Sequence, residues 1–263
     1  MNRIDALFKS KKKNILSVYF TAGFPDLNDT TRVLKLLENS GADLVEIVMP
    51  YSDPLADGEV IQQSGSAALK NGMNIQVLFQ QLKTIREEVK IPLVLMGYLN
   101  PVMQYGIEKF CAAANSVGVD GLILPDLTLD MYESQLKATF EKYNLRNVLL
   151  VTPKTSDERI KRIDALSSGF LYAVSASTTT GNAAANLNAQ QQYFEKLNAL
   201  TLKNPFLIGF GISNHQLFEN ACRYASGAII GSAFIKHIAA NPNLETSIPT
   251  FINSIIHDNS ATK

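Results

Sequence analysis

Glu46 is the first residue whose surroundings suggest chemistry. It stands in the alternating apolar run Leu44-Val45-Glu46-Ile47-Val48, the pattern of a buried strand. A carboxyl pointing inward there would have its pKa raised, as suits a group that both gives and takes a proton. A strand glutamate can equally be a paired structural charge. Directly after it, Pro50-Tyr51-Ser52-Asp53-Pro54-Leu55-Ala56-Asp57-Gly58 adds two acids in a loop stiffened by two prolines, which could hold a carboxylate steady. The plainer reading is an acidic turn in which Asp53 and Asp57 cap backbone groups. Two glycine turns form a second constellation, Gly-Phe-Gly-Ile-Ser at 209–213 and Gly-Ser-Ala-Phe at 231–234. Lys154, between Pro153 and Thr155, could form a Schiff base with a carbonyl substrate or simply be solvated. His215, His237 and His257 are widely spaced in helical segments and predict surface roles, with no metal site.

The elements that must position these residues follow a β/α rhythm. Eight short runs rich in β-branched residues read as strands: Ile15–Thr21, Leu44–Val48, Pro92–Met96, Gly121–Leu124, Val148–Val151, Phe170–Val174, Phe206–Ile208 and Gly227–Ile230. Amphipathic runs between them read as helices, among them Thr30–Asn39, Gln76–Val89, Glu108–Val117, Met131–Tyr143 and Asp157–Leu166. Eight such units over residues 1–263 predict one α/β domain, a (β/α)8 TIM barrel with an extra N-terminal helix. An open doubly wound sheet is the alternative, but the first strand is followed by Thr-Ala-Gly-Phe-Pro-Asp and no dinucleotide-binding glycine turn. In a barrel the active face lies at the C-terminal ends of the strands. The turns after strands seven and eight are then places for a phosphate, with Gly211, Gly231 and Ser232 the strongest candidates. The polar stretch Ser175–Gln192, after the sixth strand, reads as a mobile lid.

Composition narrows the classes. Lys plus Arg equals Asp plus Glu at 24 each, so no overall field exists to hold nucleic acid or an anionic membrane. Cys111 and Cys222 are far apart inside helical segments, without paired spacing, which fits a reduced, cytoplasmic location. The N-terminal stretch predicts a short amphipathic helix with Ile4, Leu7 and Phe8 on one side, and Lys11 to Lys13 a solvated helix end. It has no apolar stretch of signal-peptide length, and no window approaches a membrane span.

The run Glu46 to Gln62, EIVMPYSDPLADGEVIQ, resembles the signature of the tryptophan synthase alpha subunit family. Further matches follow in order: MGYLNP at 96–101, LPDL at 124–127, GFGIS at 209–213 and GSA at 231–233. The resemblance implies a lyase of tryptophan biosynthesis, which cleaves indole-3-glycerol phosphate to indole and glyceraldehyde 3-phosphate by a retro-aldol reaction. No cofactor or metal is implied, because a C3-protonated indole is itself the electron sink. By the resemblance, Glu46 is the acid and base, Asp57 accepts the indole N–H and balances charge on the ring, and Tyr172 is the active-site tyrosine. Gly181 is carried over as a phosphate contact beside Gly211, Gly231 and Ser232. It also implies a partner, the pyridoxal-phosphate-dependent beta subunit, in an alpha2-beta2 complex. Tyr51 to Leu55, Asn100-Pro101 and Asp126 to Leu129 are the candidate contact surface.

The chain departs from the family pattern at named positions. Val48 stands where glycine is usual, on the same strand face as Glu46. Ala176 and Thr178 replace the usual arginine and glycine of the lid, and Glu59 and Thr128 replace prolines, which would loosen the partner-facing loops. Two rival readings follow from the residues: a phosphate-binding barrel that only activates a partner, and a Schiff-base aldolase acting through Lys154.

Overall fold

The structure, a computed structural model, describes residues 1–54, 57–175, 183–209 and 211–258. The strands are β1 Ile15–Thr21, β2 Leu44–Val48, β3 Leu93–Met96, β4 Gly121–Ile123, β5 Arg146–Asn147, β6 Leu149–Val151, β7 Leu171–Val174, β8 Phe206–Gly209 and β9 Gly227–Ile230. They form one sheet in the order β5-β4-β3-β2-β1-β9-β8-β7-β6, with parallel neighbours throughout. The two ends of that order, β5 and β6, are separated in the chain by Val148 alone, so they are halves of one interrupted strand. The first half pairs with β4 and the second with β7, while the Val148 N–H still reaches the Leu122 carbonyl at 3.0 Å. Eight strand positions therefore close a ring, as the β/α rhythm predicts.

The period of two sorts side chains between two cores. Ile15, Tyr19, Leu44, Val48, Val94, Met96, Ile123, Val148, Tyr172, Leu207 and Ile229 fill the barrel interior. Leu16, Val18, Phe20, Val45, Ile47, Leu93 and Leu95 face outward onto the helices. Glu46 lies between Leu44 and Val48 and therefore belongs to the inner face. β1 and β2 are buried along their whole length, so burial alone does not reveal which of their residues point inward.

The N-terminal helix, Arg3–Ser10, closes the end of the barrel opposite the active face. Asn2 caps it, accepting from the Ile4 N–H, and its own amide donates to the carbonyls of Asp120 and Asn144 at 2.8 Å each. Ile4 is fully buried against Gly121 and Gly169; a Cβ at either glycine would stand 2.9 Å from its side chain. Phe8 packs on Phe170 with ring centroids 5.6 Å apart. Asp120 ties the same end together, accepting from Arg86 at 2.6 Å, Arg3 at 3.1 Å and the Leu93 N–H at 3.0 Å. Leu7, expected beside Ile4 and Phe8, is only half-buried.

Other expectations need correction. Lys11 and Lys13 are not a merely solvated helix end: Lys11 pairs with Asp43 at 2.7 Å, and Lys13 donates to the Cys222 and Ala225 carbonyls. The run Gln76–Val89 is two helices, Ile75–Leu82 and Ile85–Glu88. The run Met131–Tyr143 begins at Leu129 and carries a π-helical turn at Tyr132–Leu136. The expected lid contains the start of a helix, Ala183–Ala199, while residues 176–182, with Ala176, Thr178 and Gly181, lie outside the described residues. Thr128 has a capping role that a proline could not fill: its hydroxyl accepts from the Met131 N–H at 3.3 Å. Glu59 likewise opens the helix Glu59–Lys70, where an acid in the first turn complements the helix dipole. Among the described residues no helix is long and apolar enough to cross a membrane.

Candidate active site

A cavity of about 690 Å³ opens at the C-terminal ends of the strands. Its walls include Tyr19, Asp57, Met96, Tyr172, Gly211, Gly231 and Ser232, so four of the residues singled out in the sequence as binding groups and one of the two acids meet there. Glu46 is not in the wall. It is fully buried on the inner face of β2, paired in register with Tyr19 of β1 and Val94 of β3.

Burial decides the chemistry of Glu46. With water excluded, the charged form loses its hydration, and the pKa rises to about 8; a hydrogen bond from Ser17 pulls weakly the other way. That bond runs from Ser17 Oγ to Glu46 Oε1 at 2.8 Å, while Oε2 has no partner among the described residues. Near neutral pH the group holds a proton yet can release it, which is the behaviour of a general acid and base.

Asp57 is half-buried at the mouth, just before the helix Glu59–Lys70. Partial burial raises its pKa, and a hydrogen bond from Tyr98 opposes the rise. Tyr98 packs its ring on Tyr51 at 5.5 Å, and Tyr51 accepts from Asn100 at 3.0 Å. The Leu99 N–H donates to both oxygens of Asp126, at 2.9 and 3.0 Å. The motifs at 51–54, 98–101 and 126–129 thus form one connected rim; Leu55 lies outside the described residues.

Tyr172 rises from β7 into the interior, as a catalytic tyrosine or a core aromatic equally would. Burial, then the nearby Glu46 and Asp57, push its pKa well above the ordinary value, so it stays a neutral phenol. Gly209 makes room for it: a Cβ there would fall 2.4 Å from its ring and hydroxyl. Gly231 does the same for Tyr19, at 2.9 Å.

The cavity wall after β8 and β9 offers backbone donors. Gly231 precedes the helix Ser232–Ala240, whose first amides have no partner within the helix, and the helix dipole favours an anion there. Gly211 has φ +81°, a conformation that glycine adopts freely, and open space where a side chain would stand. Lys236, one turn after Ser232 on the same helix face, also lines the cavity and is its one cationic side chain among the described residues.

Sequence reasoning missed Ser17, Tyr19, Tyr98 and Lys236. The first two share the inner face of β1 with Ile15, Tyr98 lies inside the MGYLNP motif, and Lys236 follows Ser232 by four; the spacing was visible, but its direction was not. Lys154 is exposed in the turn after β6 and does not line the cavity. His215 and His237 are half-buried helix fasteners, each sharing a hydrogen bond with a carbonyl, of Ile255 and Ser247, and among the described residues no three His, Cys, Asp or Glu side chains are grouped to hold a metal.

Comparison with known proteins gives a consistent result. The family model described as tryptophan synthase alpha chain matches residues 6–256. The tryptophan synthase alpha chain of Flavobacterium johnsoniae is 56% identical over 239 residues, covering 91% of this chain and 94% of that one. The protein of the same name from Flavobacterium psychrophilum is 51% identical over 255 residues, covering 97% and 100%. Among solved structures, tryptophan synthase subunit alpha from Legionella pneumophila superposes with a TM-score of 0.87 at 32% identity, covering 97% of each chain.

Proposed function

The chain belongs to the tryptophan synthase alpha chain family, and from that premise we propose that Glu46 and Asp57 carry its reaction and that Tyr172, Gly181, Gly211, Gly231 and Ser232 bind the substrate. The protein is the alpha subunit of tryptophan biosynthesis, a carbon-carbon lyase acting on indole-3-glycerol phosphate, and it works with the beta subunit in an alpha2-beta2 complex. Residues 1–263 act as one barrel domain, and the location is cytoplasmic.

The indole ring lies between Asp57 and the tyrosines, and the phosphate between the 211–213 turn and the start of the helix Ser232–Ala240. Glu46 gives its proton to indole C3. The side-chain hydroxyl next to the scissile bond then loses its proton to the Glu46 carboxylate. The electron pair of the carbon-carbon bond returns to the ring as the aldehyde forms, so the acid ends as it began. Asp57 accepts the indole N–H and offsets the positive charge that develops on the ring, an interaction strongest in the transition state. Since Glu46 lies behind the cavity wall, its carboxyl moves toward the substrate during the reaction. Gly211, Gly231 and Ser232 supply amide donors and a hydroxyl to the phosphate, and Lys236 adds charge. Gly181 rests on the family resemblance alone.

The observation that carries this reading is the fully buried Glu46, with its raised pKa and one unpartnered oxygen, set beside the tyrosine-lined cavity. The test is the rate of indole release from indole-3-glycerol phosphate. Glu46→Gln should lower it by at least about a thousandfold with the fold intact, the scale of losing a general acid and base. Wild-type protein inactive with and without the beta subunit would sink the reading and leave a phosphate-binding barrel.

A further inference from the structure

Ser17 is the one strongly polar side chain of β1 between Ile15 and Tyr19, and it is fully buried. A hydroxyl in a barrel interior is costly unless it finds a partner. The partner of Ser17 is Glu46 Oε1, at 2.8 Å, and the bond joins two groups that both lie out of water. The other oxygen, Oε2, is equally buried and has no partner among the described residues. The carboxyl is therefore held asymmetrically, by one oxygen.

We infer that Ser17 is a positioning residue for Glu46: its hydroxyl grips one carboxyl oxygen, fixes the resting orientation of the acid, and leaves the second oxygen as the one that exchanges the proton. This rests on Glu46 being the acid and base of the site. The titratable groups that face Glu46 among the described residues are Tyr19 from β1 and Tyr172 from β7, while β3 contributes the apolar Val94 and Met96. The two phenols stay neutral. Among the described residues Ser17 is the group that stabilises the ionised form of Glu46. Without it, the proton is held more tightly and the resting carboxyl loses its fixed orientation.

The experiment is a pH profile of indole release for wild type, Ser17→Ala and Ser17→Cys, with Glu46→Gln as the reference for a lost acid and thermal unfolding as the check on folding. The pH limb governed by Glu46 should move upward by roughly half to one pH unit in Ser17→Ala. Its kcat should fall about three- to tenfold at nearly unchanged KM, since the hydroxyl acts on the acid and not on the substrate. Ser17→Cys keeps nearly the volume with a weaker donor and should fall between the two. An unmoved limb in both variants, or loss of kcat and KM together with an unmoved limb, would overturn the assignment; should Ser17→Ala fail to fold, Ser17→Cys decides on the same criteria. If wild type does not cleave the substrate, or Glu46→Gln cleaves as fast as wild type, it is the reading of the site that fails, and the two failures are distinct.

Discussion

Glu46 stores its proton where water does not reach, and that placement is costly at alkaline pH. Its pKa in the fold is about 8, against 4.5 as an ordinary glutamate. Between those values the unfolded chain has released a proton that the folded chain keeps. The favourable contribution is complete below the lower value and is lost as pH rises through the upper one, on the order of 3–5 kcal/mol in all. Urea unfolding from about pH 5 to about pH 9 should therefore show wild-type stability falling more steeply than that of Glu46→Gln. Equal slopes would mean that Glu46 is ionised in the fold. A second prediction concerns Lys236, which is exposed and lines the cavity together with Gly231 and Ser232, the proposed phosphate site. Lys236→Gln should raise KM roughly tenfold with little change in kcat, and added salt should narrow the difference. An unchanged KM at low ionic strength would remove Lys236 from the phosphate site.

At the scale of elements, the two ends of the barrel divide the work: strand C-termini carry the site, and the N-terminal helix seals the far end. Ile4 fills the space left by Gly121 and Gly169, so Ile4→Ala leaves a cavity and should cost about 2–5 kcal/mol in chemical denaturation while kcat stays near wild type. A large loss of kcat in the folded variant would show that the seal and the site are coupled. How much of this was legible in the sequence depended on the element. β1, β2 and β9 begin and end where their apolar runs do, because a strand buried on both faces is marked by composition alone. The interruption at Val148 left no mark, since inward and outward residues alternate straight through it. Likewise Asn2 and Asp120 read as ordinary polar residues until the fold brought their partners together across more than a hundred positions. The site divided the same way. Glu46, Asp57 and the glycines proposed for the phosphate lie in contiguous motifs, whereas Ser17 and Tyr19 come beside Glu46 through the pairing of β1 with β2.

The whole molecule carries no net charge, so in the proposed site capture of an anionic substrate falls to the local donors around Gly211, Gly231 and Ser232. The rim formed by Tyr51, Asn100 and Asp126 is tied to the site through Tyr98, which touches both Tyr51 and Asp57. Mixing with the cognate beta subunit should give a larger species on size exclusion and a faster release of indole; separate peaks and an unchanged rate would show that the rim does not serve this partner. The tyrosines of the cavity have an optical consequence as well. The chain contains no tryptophan, so light absorbed only by indole finds no absorber in the empty protein. Tyr19 and Tyr172 stand in the wall of the cavity proposed to hold the indole. Excited at shorter wavelength, these phenols pass their energy to an indole beside them, and emission rises when the ring is in place and decays as it leaves. The site thus carries its own reporter, and the residence of the product can be timed without a label.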